Sequence, residues 1–255
     1  MIGNISIINI IFLSLAGFFA AMVDSIAGGG GIISLPAYLL AGVPPHIALG
    51  TNKFSSSAGS FTSSLKFIKS GKVNFSIIKY LIPFTLLGSA LGVNAVLKVN
   101  QKYLSTLVLV LIVFVGLYTL FSKTIGIKDN PQPLSISRLS VGILLAFSLG
   151  FYDGFFGPGT GSFLIFGLIH IFGFNFIKAS GNAKILNFVS NISALVIFAL
   201  RGQIYYLIGL PVALSMVMGA QVGTQLALKN GAKLIKPIFV TMSLAVAAKL
   251  LIQMH

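Results

Sequence analysis

The chain has 255 residues, 56% of them hydrophobic and 8% charged, with a mean hydropathy of +1.01. A soluble domain carries about 25% charged residues, so these charges cannot wet a globular surface of this size, and a soluble enzyme, a disordered chain and a secreted disulfide scaffold are excluded. Lys and Arg number 17 against three acids, Asp24, Asp129 and Asp153; in so apolar a chain this reads as basic loops under the positive-inside rule, with the lipid bilayer and not nucleic acid as partner, and the absence of Cys removes disulfides and thiol chemistry.

Ten hydrophobic segments follow one another. Residues 5–23 form an uncharged run with no basic residue before it, which favours a first membrane segment over a cleavable leader. Residues 32–43 are about half as long and follow four glycines; residues 54–68 are rich in Ser; residues 80–97 and 103–121 are uncharged. A polar stretch, 122–137, holds Asp129, Asn130, Pro131 and Pro133 and reads as the linker. Segments 139–157, 161–174, 185–200, 203–228 and 234–252 complete the second half. Backbone polar groups must be satisfied inside each span, so an all-α polytopic membrane protein is predicted, with kinks at Pro83 and Pro211.

The halves resemble each other. Asp24, Gly28 and Gly30 match Asp153, Gly157 and Gly159 at an offset of 129. Two residues are then inserted, and at an offset of 131 Gly50 pairs with Gly181, Lys53 with Lys184, Gly71 with Gly202, Gly88 with Gly219 and Gly92 with Gly223. Repeat 1 is assigned to 5–122, the linker to 123–137 and repeat 2 to 138–253, in one integral domain. Five crossings per repeat would turn the second copy upside down, as in many secondary transporters. With ten crossings and both termini outside, Lys66, Lys69, Lys72, Lys79, Lys123, Lys128, Arg138, Lys178, Lys229, Lys233 and Lys236 lie inside, against Lys98, Lys102, Arg201 and Lys249 outside. If the short segments re-enter without crossing, that bias weakens, so ten crossings are favoured.

A carboxylate at mid-bilayer is costly and marks a functional path by default; Asp24 and Asp153, at matched repeat positions, are therefore candidates, an interfacial helix cap being the alternative. Each is followed by glycines, SIAGGGG and GFFGPGTG, which break a helix and turn backbone N–H groups toward an anion. Close packing through small residues is the rival reading. GTNK at residues 50–53 and GNAK at residues 181–184 open polar stripes: Lys184, Asn187 and Asn191 share one helix face, with Lys53, Ser56 and Ser60 as repeat partners. The stripes face a pore or bond between helices, and the lysines could equally snorkel to the interfaces. His46, His170 and His255 have no metal-site spacing. Tyr103, Tyr205 and Tyr206 read as interfacial anchors.

The run VDSIAGGGGIISLPAYLLAGVPPHIALGTNK resembles the opening signature of the TauE/SafE family of sulfite-exporter-like membrane transporters, and GFYDGFFGPGTGSF with KASGNAKILNFVSN resembles its second signature. The resemblance spans nearly the full chain. It implies a bacterial-type, multi-pass plasma-membrane transporter of sulfur-containing or organic anions, with signature positions on Asp24, Gly28, Gly29, Gly30, Gly31, Pro36, residues 50–53, Asp153, residues 157–161 and Lys184. It also implies seven or eight helices, fewer than ten.

The reading is therefore a secondary transporter of a small anion, held between the repeats by Gly29, Gly30, Gly31, Thr51, Asn52, Lys53, Gly159, Thr160, Gly161, Asn182, Lys184, Asn187 and Asn191, with Asp24 and Asp153 coupling protons. No cofactor, metal or catalytic residue is assigned. The rivals are a cation pathway through the two Asp, a non-transporting partner subunit and a lipid-acting enzyme, for which nucleophile candidates are thin. The anion, the direction of transport and the oligomeric state stay open; small-residue stretches at residues 88–92 and 219–223 suit packing within or between subunits.

Overall fold

The computed structural model describes residues 6–104, 110 and 129–230. Eight helices lie among them: α1 (Ile7–Ala27), α2 (Gly31–Leu40), α3 (Pro45–Lys69), α4 (Phe75–Val96), α5 (Ile136–Phe155), α6 (Thr160–Phe172), α7 (Phe176–Leu200) and α8 (Tyr206–Asn230). No strand occurs among the described residues. The predicted segment 234–252, almost all of 103–121 and linker residues 122–128 fall outside them.

Several helices begin well before the apolar run that announced them. The Asn175 side chain accepts the Lys178 N–H at 2.9 Å and starts α7 nine residues ahead of the predicted segment. Pro45 at the first position pre-sets the backbone of α3. Ser6 and Ser135 cap α1 and α5. At its other end α1 runs on to Ala27, so Asp24 lies inside the helix and not beyond it. Pro83 and Pro211 sit within continuous α4 and α8.

Five helices, α1, α4, α5, α7 and α8, are long and apolar enough to cross a membrane. Their outward residues are large and apolar, with Ile8, Leu144, Leu200, Leu207 and Leu214 all exposed, which suits hydrocarbon and not water. α2 and α6, at 10 and 13 residues, are shorter than a full span: at 1.5 Å per residue the helices reach roughly 15–20 Å against a core of about 30 Å. α3 is long but polar. It survives by being enclosed, and its hydroxyls return to its own backbone: Ser57 Oγ donates to the Lys53 carbonyl at 2.7 Å, and Ser60 Oγ to that of Ser56 at 2.7 Å.

α3 and α7 cross the centre in opposite directions. Gly50 lies against Phe198 at one end and Gly181 against Phe67 at the other, with Lys53–Asn191 and Ser64–Lys184 contacts between. Around them α1 pairs in parallel with α8, and α4 with α5. These pairs close through glycine: a Cβ on Gly219 or Gly223 would stand 2.0 or 2.2 Å from the carbonyl oxygens of Phe18 or Met22, and one on Gly88 or Gly92 would stand 2.2 or 2.1 Å from those of Phe147 or Phe151. Phe18 and Met22 correspond to Phe147 and Phe151 at the offset of 129, so each half lends the other the same groove.

This packing gathers Lys66, Lys69, Lys72, Lys79, Arg138, Lys178 and Lys229 at one end of the bundle and Lys98, Lys102 and Arg201 at the other. At the basic end Asp129 accepts the Asn175 N–H at 3.0 Å and pairs with the Lys178 ammonium. Partial burial raises its carboxyl pKa, but the Lys178 hydrogen bond, the Asn175 N–H and the charges of Lys178 and Lys72 outweigh this and hold it below the ordinary carboxylate value. A depressed folded pKa stabilises above the unfolded value and loses that stabilisation as pH falls through the folded one. The melting-temperature difference between wild type and Asp129→Asn in detergent should thus be present at neutral pH, begin to shrink as pH falls through about 4, and vanish only below the depressed folded value.

Candidate functional site

Both helix breaks lie inside the bundle, and they touch. Gly28, with φ 77 and ψ 160, turns the chain out of α1; a Cβ there would stand 2.3 Å from the Gly161 carbonyl carbon and the Ser162 nitrogen. Ser162 Oγ donates to the Ala27 carbonyl at 2.9 Å, clamping the start of α6 to the end of α1. Gly31 packs against Pro158. The glycines thus allow two interrupted spans to meet backbone to backbone.

Beside the breaks stand two ion pairs, one fully and one partly buried, each joining one half to the other. Lys184 Nζ of α7 lies 2.6 Å from Asp24 Oδ2 of α1, and Lys53 Nζ of α3 lies 2.9 Å from Asp153 Oδ2 of α5. Repeat-equivalent residues therefore exchange partners. The surroundings differ. Asp24 Oδ1 also accepts the N–H groups of Gly29 at 3.1 Å and Gly30 at 3.3 Å, as expected for an anion at a broken-helix start. In the other half Pro158 stands where Gly29 does and has no N–H to give; Asp153 instead accepts the Ser190 hydroxyl, and Lys53 also donates to Asn191 Oδ1 at 3.1 Å. Asp153 and Lys53 are both 3% exposed, whereas the Asp24 side chain is 21% exposed beside a fully buried Lys184.

Between the pairs lies a cavity whose empty space is about 480 Å³ when space open to the surroundings is counted. Of the predicted residues it is lined by Gly29, Gly30, Gly31, Asn52, Lys53, Gly161, Asn187 and Asn191, together with Asp24 and Asp153. Asn191 Nδ2 reaches Asn187 Oδ1 and Ser60 Oγ, each at 3.3 Å, so the two polar stripes interlock along one wall. Asn52 Oδ1 is buried with no hydrogen-bond partner among the described residues.

The structure does not bring Thr51, Gly159, Thr160, Asn182 or Lys184 to the cavity. Thr51 Oγ1 accepts the Tyr205 N–H at 2.9 Å and Asn182 Oδ1 the Asn74 N–H at 2.9 Å; both tie a helix to the loop of the opposite half. Gly159 and Thr160 form the turn into α6, where Thr160 Oγ1 donates to the Gly157 carbonyl at 2.7 Å. Lys184 lies behind Asp24. Ser190 was not predicted, since its only sequence signal is the position before Asn191. Met216 and Gly59, which also line the cavity, carry no polar signal at all.

The family described as sulfite exporter TauE/SafE matches residues 13–250. A probable membrane transporter protein of Haemophilus influenzae is 39% identical over 247 residues, covering 97% of this chain and 95% of that protein. The probable membrane transporter protein YfcA of Escherichia coli K12 is 38% identical over 242 residues, covering 93% and 89%. No solved structure matches. Carrying both interrupted spans and matched over nearly its whole length, the chain belongs to the sulfite exporter TauE/SafE family of membrane transporters.

Proposed function

We propose that the chain is a secondary transporter that moves a small sulfur-containing or organic anion, of the sulfite or sulfonate class, through the cavity between two inverted five-segment repeats of a bacterial-type plasma membrane. Asp24 and Asp153 couple the movement to protons. The carrying observation is the buried Lys53 ammonium on the wall of a cavity lined by both halves, with Asn52, Asn187 and Asn191 beside it. The antiparallel crossing of α3 and α7 and the exchanged ion pairs support the inverted plan. The crowd of lysines at one end of the bundle supports a cytoplasmic placement of that end. The sequence has no nucleotide-binding motif, so an ion gradient or the solute's own gradient supplies the energy.

A cation pathway is disfavoured because each carboxylate faces a lysine within 3 Å, which repels a second cation. The test is a thermal-shift screen of the purified protein with sulfite, thiosulfate, taurine and sulfoacetate, repeated with Lys53→Gln. A hydrogen bond to a charged group is worth about 1.5–3 kcal/mol, so the variant should bind roughly tenfold to a hundredfold more weakly. Equal affinity would remove Lys53 from the site.

A further inference from the structure

We propose that the Asp24 carboxylate is a tethered stand-in for the transported anion. It occupies a seat formed by the Gly29 and Gly30 amides and the Lys184 ammonium, and the solute enters by displacing it. The inference rests on the anion-transport reading above and deepens it.

Four observations lead there. The broken-helix N–H groups, which would otherwise hold a solute anion, are already taken by Asp24 Oδ1 at 3.1 and 3.3 Å. The remaining oxygen is taken by Lys184 at 2.6 Å, so the carboxylate is bound as a free anion would be at a helix start. Asp24 is also the more accessible of the two acids and borders the cavity, so it has room to withdraw. Finally, the equivalent place in the other half lacks such a seat: Pro158 offers no N–H, and Asp153 is enclosed with Lys53 and Ser190.

The charge balance then dictates how exchange proceeds. Lys184 is fully buried and Asp24 is its charge partner. Withdrawing Asp24 alone would leave a buried, uncompensated cation, a strongly unfavourable state. Asp24 therefore leaves only as another anion arrives. With the solute seated, an ionised Asp24 would be a second negative charge in the same desolvated space. A proton taken from the open aqueous side onto the Asp24 carboxylate removes that charge and frees the seat. One proton then travels with each displacement.

Lys184 of α7 is the titratable group in contact with Asp24. From the other elements packed on α1, α2 offers the Gly30 amide, α3 the Ser63 hydroxyl bonded to Ser25, α6 the Gly161 backbone and α8 the Gly223 backbone. Lys53 of α3 and Asp153 of α5 border the same cavity. The Tyr38 hydroxyl of α2 is held by Ser55.

The test uses sulfoacetate, whose charges are fixed across the neutral pH range, and the whole purified protein. For wild type, calorimetry in buffers of differing ionisation heat should register proton uptake on binding, and affinity should rise as pH falls. Asp24→Asn should bind at least tenfold more tightly than wild type above neutral pH, with one proton fewer in its pH slope; Asp153→Asn should keep the Asp24 proton. Should Asp24→Asn fold poorly because Lys184 is left uncompensated, sulfoacetate should restore its melting transition more than it raises that of wild type. Absence of proton uptake in wild type, an unchanged slope in Asp24→Asn, or weaker binding by it at every pH would overturn the exchange while leaving anion transport standing. Failure of wild type to bind sulfoacetate, sulfite, thiosulfate or taurine at any pH would overturn the transport reading, and the exchange with it.

Discussion

Lys53→Met should lower the unfolding free energy of the detergent-purified protein by roughly 3–5 kcal/mol, and adding Asp153→Asn to it should restore most of that loss. The asymmetry follows from burial. Asp153 and Lys53 are each 3% exposed and 2.9 Å apart, so removing only the ammonium strands a carboxylate that the Ser190 hydroxyl alone cannot satisfy. Removing both charges removes the desolvation cost along with the attraction. The same pair of substitutions at Lys184 and Asp24 should couple more weakly, because Asp24 keeps two backbone N–H donors and reaches the cavity. Denaturant unfolding of the single and double variants gives the coupling energies directly. Equal, additive losses at all four positions would mean that neither pair is an interacting unit.

How much of this was legible beforehand depends on what each residue contacts. The apolar runs marked every described helix, because a span must be apolar wherever it meets lipid. They misplaced the starts of α3, α4 and α7, because burial by neighbours, joined at α7 by the Asn175 cap, carries a helix beyond its lipid-facing stretch. Gly88 and Gly92, which the offset of 131 matches to Gly219 and Gly223, make close approaches of the same kind as those two. What the offsets could not anticipate is exchange: Lys53 is equivalent to Lys184, yet it pairs with Asp153 and not with Asp24. Spacing along one chain holds no information on which half a long side chain reaches into. The glycine runs likewise announced free amides but not what fills them, and in the Asp24 half it is the protein's own carboxylate. Thr51 and Asn182 show the opposite failure. Polar residues beside a lysine on a signature stripe looked like ligands, but their helix phase turns them toward the backbone of the opposite loop.

The meeting of the two breaks gives the other large effect. Gly28→Ala should destabilise the protein by about 3–5 kcal/mol, combining backbone strain at a near glycine-only conformation with overlap against a neighbour that cannot yield. Gly42→Ala is the control. Gly42 also has φ +77, yet nothing lies within 4 Å of a Cβ there, so it should cost only about 1–2 kcal/mol of left-handed strain. At Gly28 the added carbon would sit 2.3 Å from the Gly161 and Ser162 backbone. The relief available is to push α6 away from α1, which breaks the Ser162–Ala27 hydrogen bond and moves the Gly29 and Gly30 amides that hold Asp24. Protein that survives the substitution should therefore also bind anion with altered affinity, whereas Gly42→Ala should bind as wild type does. If the two variants melt together, the contact between the breaks does not hold the halves in register, and the cavity between the ion pairs must owe its shape to α3 and α7 alone.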